Sequence, residues 1–113
     1  ASNKDENPVV FQIKEYLHQN YAVPSLSVPD ISEHVRLSPT YVCTLFKNET
    51  GQTLNQYLTD YRIKMSKQFL SDPLYKITDI SAKVGYSDGN YYSKAFRKIV
   101  GLSPSEYREK MLR

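Results

Sequence analysis

Two sets of four side chains have the same spacing in this sequence and can form hydrogen bonds with nucleic-acid bases. They are Thr40, Cys43, Thr44 and Lys47, followed fifty residues later by Asn90, Ser93, Lys94 and Arg97. Positions i, i+3, i+4 and i+7 fall on one face of an α-helix. Asparagine can pair with adenine, lysine and arginine reach guanine or phosphate, and threonine methyl groups contact thymine. The spacing therefore predicts two helical strips suited to duplex DNA, of which the second is more basic.

Each strip needs a helix with an apolar opposite face if a protein core is to hold it in place. The opposite positions are Val42, Leu45, Phe46 and Glu49 in the first helix, and Tyr92, Ala95, Phe96 and Ile99 in the second. We expect these side chains to point inward, with Phe46 and Phe96 wholly in the core. The alternative interpretation is that both strips are solvated faces with no binding role.

The two strips belong to a longer internal repeat. Residues 30–48 read DISEHVRLSPTYVCTLFKN, and residues 79–98 read DISAKVGYSDGNYYSKAFRK, with one extra residue around Gly89. A shift of 49 positions aligns the first helix of each copy, and a shift of 50 aligns the second helix and the glycine after it. A short helix, a turn and a longer second helix form the helix-turn-helix motif. The repeat therefore predicts two such units.

Helical periodicity and end signals predict seven helices and no strand. Capping signals precede several of the helices, and the pairs are Ser27 with Asp30, Ser38 with Pro39, Thr53 with Gln56, and Ser103 with Glu106. We predict an all-α, homeodomain-like fold of two helix-turn-helix subdomains joined by a long linker helix. The expected divisions are a linker at 1–8, a first subdomain at 9–52, the linker helix at 53–72 and a second subdomain at 73–113.

Charge is distributed unevenly along the 113 residues. The net charge is +3, with −2 in residues 1–56 and +5 in residues 57–113, so the second half has the composition that favours a polyanion. The linker helix from Leu54 to Leu70 has 17 residues. At 1.5 Å per residue it is about 25 Å long, which with its ends allows two reading helices about one DNA turn, ~34 Å, apart. One chain could then occupy two successive major grooves of a non-palindromic site.

These residues resemble the DNA-binding domain of the AraC/XylS family of bacterial transcription regulators. The resemblance covers about residues 9–111 and is strongest in ITDISAKVGYSDGNYYSKAFRKIVGLSPSEYR, residues 77–108. The first copy is similar to the family through SPTYVCTLFKNETG and YLTDYRI. The resemblance implies sequence-specific binding of double-stranded DNA, control of transcription, usually activation, and RNA polymerase as a partner. It also implies a separate regulatory domain, in keeping with an N-terminal ASNKDEN that looks like the edge of a module from a longer protein.

The resemblance also assigns candidate DNA-contacting positions. It places base-reading positions at Thr40, Cys43 and Thr44 in the first unit and at Gly89, Asn90 and Lys94 in the second, with Tyr41 and Tyr91 near the DNA backbone. Many relatives carry arginine where Thr44 stands, and Gly89 offers no side chain. With the helical strips, the predicted DNA-binding residues are Thr40, Tyr41, Cys43, Thr44 and Lys47 in the first unit, and Gly89, Asn90, Tyr91, Ser93, Lys94, Arg97 and Lys98 in the second.

Other functions have weaker support in the sequence. Cys43, His18 and His34 show no metal-ligand spacing and no Cys/His catalytic arrangement, so we expect no catalytic residue, metal or cofactor. Cys43 could instead be a redox-sensitive position on the reading face. We expect no membrane segment and a cytoplasmic location at the bacterial nucleoid. The alternative function is a helical protein-interaction module whose basic second half binds an acidic partner.

Overall fold

A computed structural model describes residues 6–112 and shows an all-α chain. In these residues there are seven α-helices and no strand, as the sequence predicts: α1 Pro8–Asn20, α2 Val28–Val35, α3 Pro39–Thr50, α4 Leu54–Leu70, α5 Ile77–Lys83, α6 Gly89–Val100 and α7 Pro104–Met111. Residues 1–5 of the predicted linker and Arg113 of the predicted second subdomain lie outside the described residues.

The helix ends form where the sequence signals predict them. The side chain of Gln56 accepts the Thr53 N–H at 2.9 Å, while the Thr53 hydroxyl accepts the Gln56 N–H at 3.1 Å, which completes a capping box at the start of α4. The same reciprocal pair joins Ser103 and Glu106 at the start of α7. These side chains satisfy backbone N–H groups that have no partner inside the helix, so each helix begins at a defined residue.

The described residues form two hydrophobic cores, which follow one another along α4. The first consists of Val10, Ile13, Leu17, Ile31, Val42, Phe46, Leu54 and Leu58. The second consists of Ile63, Leu70, Ile80, Val84, Tyr92 and Phe96. Phe46 and Phe96 are fully buried, as predicted, and each contributes about 1.5–3 kcal/mol by removing its ring from water.

The long helix α4 belongs to both cores. Its first half contributes Leu54 and Leu58 to the first core, and its second half contributes Ile63 and Leu70 to the second. The structure thus divides this helix into two halves that pack against different partners. Because α4 contacts α3 and also α5, α6 and α7, it is a structural part of both units as well as the connection between them.

The molecule is elongated, with extents of 45 × 29 × 21 Å. This length follows from placing two small cores in succession along α4, which by itself spans about 25 Å. Across residues 6–112, none of the helices combines the length and apolar character that crossing a membrane requires.

Candidate nucleic-acid interface

The two second helices of the repeat, α3 and α6, expose and bury equivalent positions. Residues 41–50 and 91–100 have the same order of buried, half-buried and exposed side chains, position for position. Val42 and Phe46 are fully buried in α3, and Tyr92 and Phe96 are fully buried in α6. The tertiary structure therefore presents the same face of each helix to solvent, and the predicted strips lie on those faces.

All of the predicted DNA-contacting side chains are exposed, and so is Gly89. They are Thr40, Tyr41, Cys43, Thr44 and Lys47 on α3, and Asn90, Tyr91, Ser93, Lys94, Arg97 and Lys98 on α6. Tyr41 is 50% exposed and Tyr91 is 66% exposed, which leaves both rings available to a partner. The structure thus brings each predicted set together on one accessible helix face.

Two residues predicted to point inward are exposed instead. Glu49 is exposed near the end of α3, and Ile99 is 44% exposed near the end of α6. The position that packs toward the second core is Val100, one residue further along. The prediction is wrong at these two positions because the fully buried positions of α3 and α6 end one turn earlier, at Phe46 and Phe96, although i+7 lies in line with the stripe by angle.

The two candidate reading helices begin with different caps. The Ser38 hydroxyl accepts the Tyr41 N–H at 3.1 Å at the start of α3. At the start of α6 the carboxylate of Asp88 accepts the Asn90 N–H at 2.8 Å. A carboxylate favours the positive end of a helix dipole, so the cap suits α6, but it adds a negative charge beside a surface that is otherwise basic. Asn90 and Lys94 follow this cap within the first two turns.

The basic side chains of the two strips differ in the hydrogen bonds and ion pairs that they form within the protein. Lys47 donates to the backbone oxygen of Gly51 at 3.2 Å, and Arg97 lies 3.7 Å from the carboxylate of Glu106. Hydrogen bonds from Ser103, first of all from its backbone N–H, lower the pKa of Glu106, so this carboxylate stays ionised opposite Arg97. By contrast, no carboxylate of residues 6–112 lies within 4.0 Å of the Lys94 ammonium group. Lys94 is therefore the strip cation most available to an external anion.

The turns that orient α3 and α6 have the same geometry. In each unit an N–H just after the turn donates back to a buried serine carbonyl: Leu37 to Ser32 at 3.2 Å, and Tyr86 to Ser81 at 3.0 Å. The preceding residue has a left-handed backbone in both units, Arg36 with φ 60° and Gly85 with φ 96°. This arrangement closes the end of the first helix and redirects the chain into the second helix of the unit.

Two arginines with structural roles were not identified from the sequence. Arg62 of α4 donates to the carbonyls of Tyr21 and Val23 at 2.8 and 2.9 Å. Arg108 of α7 donates to the carbonyls of Leu70 and Asp72 at 3.0 and 3.1 Å. The accepting carbonyls occupy equivalent positions of the repeat under the 49-residue shift. The two arginines are not equivalent under either shift, so the repeat did not predict their roles.

The side chains that could bind a metal remain dispersed in the described part of the chain. Within residues 6–112 no group of three or more His, Cys, Asp or Glu side chains is arranged to hold an ion. Cys43 is exposed on α3, and His18 is bonded to the Tyr57 hydroxyl at 2.8 Å in an aromatic cluster.

Fold and interface together define an all-helical protein with two helix-turn-helix units and a matching exposed face on each. Residues 31–110 match the family described as "Helix-turn-helix domain". The chain belongs to this family, of the AraC/XylS type, whose members are sequence-specific DNA-binding domains of transcription regulators.

Individual relatives agree with this assignment. The chain is 36% identical over 110 residues to the Msm operon regulatory protein of Streptococcus mutans, an alignment covering 97% of this chain and 39% of that protein. Its structure is similar to the C-terminal domain of AraT, a response regulator from Geobacillus stearothermophilus, with a TM-score of 0.89, 29% identity, and coverage of 92% and 86% of the two chains. A transcriptional regulator with an AraC-type DNA-binding domain from Chromobacterium violaceum shares the fold, with a TM-score of 0.84, 24% identity and 94% coverage of each chain.

Proposed function

We propose that this chain binds a non-palindromic DNA site by placing α3 and α6 in two successive major grooves on one face of the duplex. The observation that carries this proposal is the identical exposure pattern of residues 41–50 and 91–100. Two reading faces of the same kind in one polypeptide need no dimer to contact two turns of DNA. A twofold dimer, in contrast, requires a palindromic operator.

The dimensions of the molecule support this arrangement. Two successive grooves are about 34 Å apart along the duplex, and the molecule is 45 Å long. Helix α4 connects the two units with a rigid element of 17 residues rather than a loop. The molecule is therefore long enough to span two successive grooves, and its two units are joined by a helix, which supports simultaneous contact.

We assign the DNA contacts to the exposed faces of α3 and α6. The contacting residues are Thr40, Tyr41, Cys43, Thr44 and Lys47 in the first unit, and Gly89, Asn90, Tyr91, Ser93, Lys94, Arg97 and Lys98 in the second. The second unit is the electrostatic anchor because no carboxylate of residues 6–112 pairs with Lys94, while Lys47 already donates to Gly51. The first unit contributes small polar groups that discriminate more modestly among bases.

For the whole protein, we propose a longer bacterial regulator of which this chain is the output domain. The chain spans about 39% of the length of the curated relative that it matches over 110 residues. A regulatory domain would occupy part of the remainder, and the bound domain would activate transcription through RNA polymerase in the cytoplasm, at the nucleoid. The DNA-binding character of the family favours a protein without enzymatic activity, metal or cofactor.

Selection of bound duplexes from a random pool tests the proposal directly. We expect enrichment of one contiguous, non-palindromic site of about two helical turns. Affinity should fall steeply with salt, because each neutralised phosphate contributes a slope of about −0.9 to log K against log[salt]. Failure to bind any duplex at low salt would contradict the proposal. Binding to an acidic polypeptide in its place would favour the protein-interaction alternative.

The single cysteine of the sequence offers a second test. Cys43 is exposed on α3, so maleimide should react with it in the free protein. Bound DNA should protect this thiol, and prior alkylation should weaken DNA binding because the adduct occupies the reading face. A matched control moves the thiol to an exposed site on α1 with the changes Cys43→Ser and Gln19→Cys. Equal protection of both thiols by DNA would place the interface elsewhere.

A further inference from the structure

One side chain in the middle of α4 connects the linker helix to the first unit. The guanidinium of Arg62 donates from Nε to the Tyr21 carbonyl at 2.8 Å and from Nη2 to the Val23 carbonyl at 2.9 Å. Tyr21 is the C-cap residue of α1, so its carbonyl is one of those that no helix N–H can satisfy. A planar, charged guanidinium that donates to two backbone carbonyls at once forms strong and directional hydrogen bonds. Arg62 therefore fixes the end of α1 against α4.

The same guanidinium also contacts the second unit. Its central carbon lies 5.5 Å from the centre of the Tyr86 ring, within range of a cation–π interaction. Both side chains are half-buried, and this burial lowers the pKa of Arg62 and raises the pKa of Tyr86. The Tyr21 ring packs against both hydrophobic cores. Arg62, Tyr21 and Tyr86 thus meet in a seam where the two units adjoin.

Gly85 completes this seam from the turn of the second unit. A Cβ atom at Gly85 would lie 2.4 Å from the Tyr21 carbonyl oxygen and 2.7 Å from Nε of Arg62, distances that side chains do not tolerate. The equivalent turn position in the first unit is Arg36, which has φ 60° and carries a full side chain. The left-handed backbone alone therefore does not demand glycine in this turn. The close approach of the first unit demands it at Gly85.

Arg108 forms the same kind of bridge between two carbonyls, but within the second unit. Its guanidinium bridges the Leu70 and Asp72 carbonyls at the end of α4 with nearly the same distances as the Arg62 pair. Arg108 lies in α7, which packs on α4 and α6 of the second unit. Arg108 therefore closes a helix end within one unit, whereas Arg62 closes a helix end where the two units meet.

We infer that Arg62, the Tyr21 carbonyl and Gly85 form a joint that fixes the angle and separation of α3 and α6, and so sets the spacing between half-sites that the protein accepts. This inference rests on the proposed function for its consequence on DNA. Each added base pair moves one half-site by about 3.4 Å and rotates it by about 35° relative to the other. A fixed joint cannot follow that movement, whereas a flexible one can.

The structural part of the inference can be tested without DNA. A Ser93→Cys variant carries two cysteines, Cys43 on α3 and the new one on α6, at equivalent exposed positions. With a spin label on each, the distribution of distances between the labels reports how the two helices are placed relative to one another. We expect a narrow distribution in the otherwise unchanged protein. Arg62→Lys, which loses the guanidinium, and Gly85→Ala, which inserts a Cβ at the seam, should broaden or shift it. Arg108→Lys and Arg36→Ala are the matched controls and should leave it narrow.

The functional part uses the DNA site selected by the unchanged protein. Inserting one base pair between the half-sites should cost the unchanged protein about tenfold or more in affinity, since at least one base-pair contact is lost. For Arg62→Lys and Gly85→Ala we expect weaker binding to the original site but a smaller insertion penalty, below about threefold, because the units move independently. The two controls should keep the full penalty.

The possible outcomes separate the inference from the proposed function. A narrow, unshifted distribution in folded Arg62→Lys protein overturns the joint, and so does an insertion penalty equal to that of the unchanged protein. If the unchanged protein binds no duplex, the proposed function fails, and the spin-label distances still decide the joint. Far-ultraviolet circular dichroism identifies any variant that loses its helices. If Gly85→Ala does so, the more conservative Arg62→Lys decides the result.

Discussion

Lys94→Ala is the most informative single change on the proposed interface. Lys94 is exposed on the reading face of α6, and no carboxylate of residues 6–112 lies within 4.0 Å of its ammonium group. Its removal therefore breaks no ion pair in this part of the protein and leaves no unpaired partner. The change in DNA affinity then reports the contact with DNA itself.

The expected magnitude follows from the chemistry of that contact. A lysine that reads guanine contributes about 1–3 kcal/mol, so Lys94→Ala should weaken binding by about 5- to 150-fold. If the ammonium group contacts a phosphate instead, the slope of log K against log[salt] should become shallower by about 0.9. Thr44→Ala removes a neutral hydrogen bond worth about 0.5–1.5 kcal/mol and should cost less than Lys94→Ala.

Fluorescence anisotropy with the selected duplex at several salt concentrations measures both quantities. Lys110→Ala is the matched control, because Lys110 is exposed in α7 of the same unit and its removal changes net charge equally. We expect the control to lose only the small, long-range part of the attraction. Equal losses for Lys94→Ala and Thr44→Ala would refute the anchor role of the second unit. Equal losses for Lys94→Ala and Lys110→Ala would show that only net charge matters.

Three further predictions concern the folded state. Phe46→Ala and Phe96→Ala each empty a fully buried position, and each should lower the free energy of unfolding by about 3–5 kcal/mol in chemical denaturation. A large loss for only one of the two variants would contradict two cores of similar weight. Burial lowers the pKa of His18 from 6.5, so stability should decline as pH falls through 6.5 toward the folded-state pKa, and His18→Gln should flatten that decline in melting curves. Thr53→Ala removes the hydroxyl of the α4 capping box and should cost about 0.5–2 kcal/mol, whereas Thr53→Ser should cost little.

Much of the fold could be predicted from the sequence because its helices carry strong local signals. The capping boxes at Thr53 and Ser103 and the glycine stops at Gly51 and Gly101 correspond to helix ends in the structure. These features act within one turn of the chain, so their consequences do not depend on tertiary contacts. The repeat then adds long-range information, because equivalent residues build equivalent units.

The predicted site depends partly on tertiary structure. Helical periodicity identifies the exposed faces of α3 and α6, and the structure confirms that the predicted side chains are exposed there. Periodicity fails at Glu49 and Ile99 because it assumes a core as long as the helix, while each core here is small. Only the folded chain shows that Arg97 is paired with Glu106 and that Lys94 is free of such a carboxylate partner in the described residues.

The sequence by itself determined the helices, the repeat and the two polar strips, because residue type and spacing act locally along one chain. The tertiary structure decided how the two units are held relative to one another. Arg62 lies 41 and 39 residues from the carbonyls that it binds, and Gly85 is constrained by the backbone of Tyr21. Contacts of this kind depend on how α1, α4 and the second turn converge in space, and no periodicity in the sequence records that convergence.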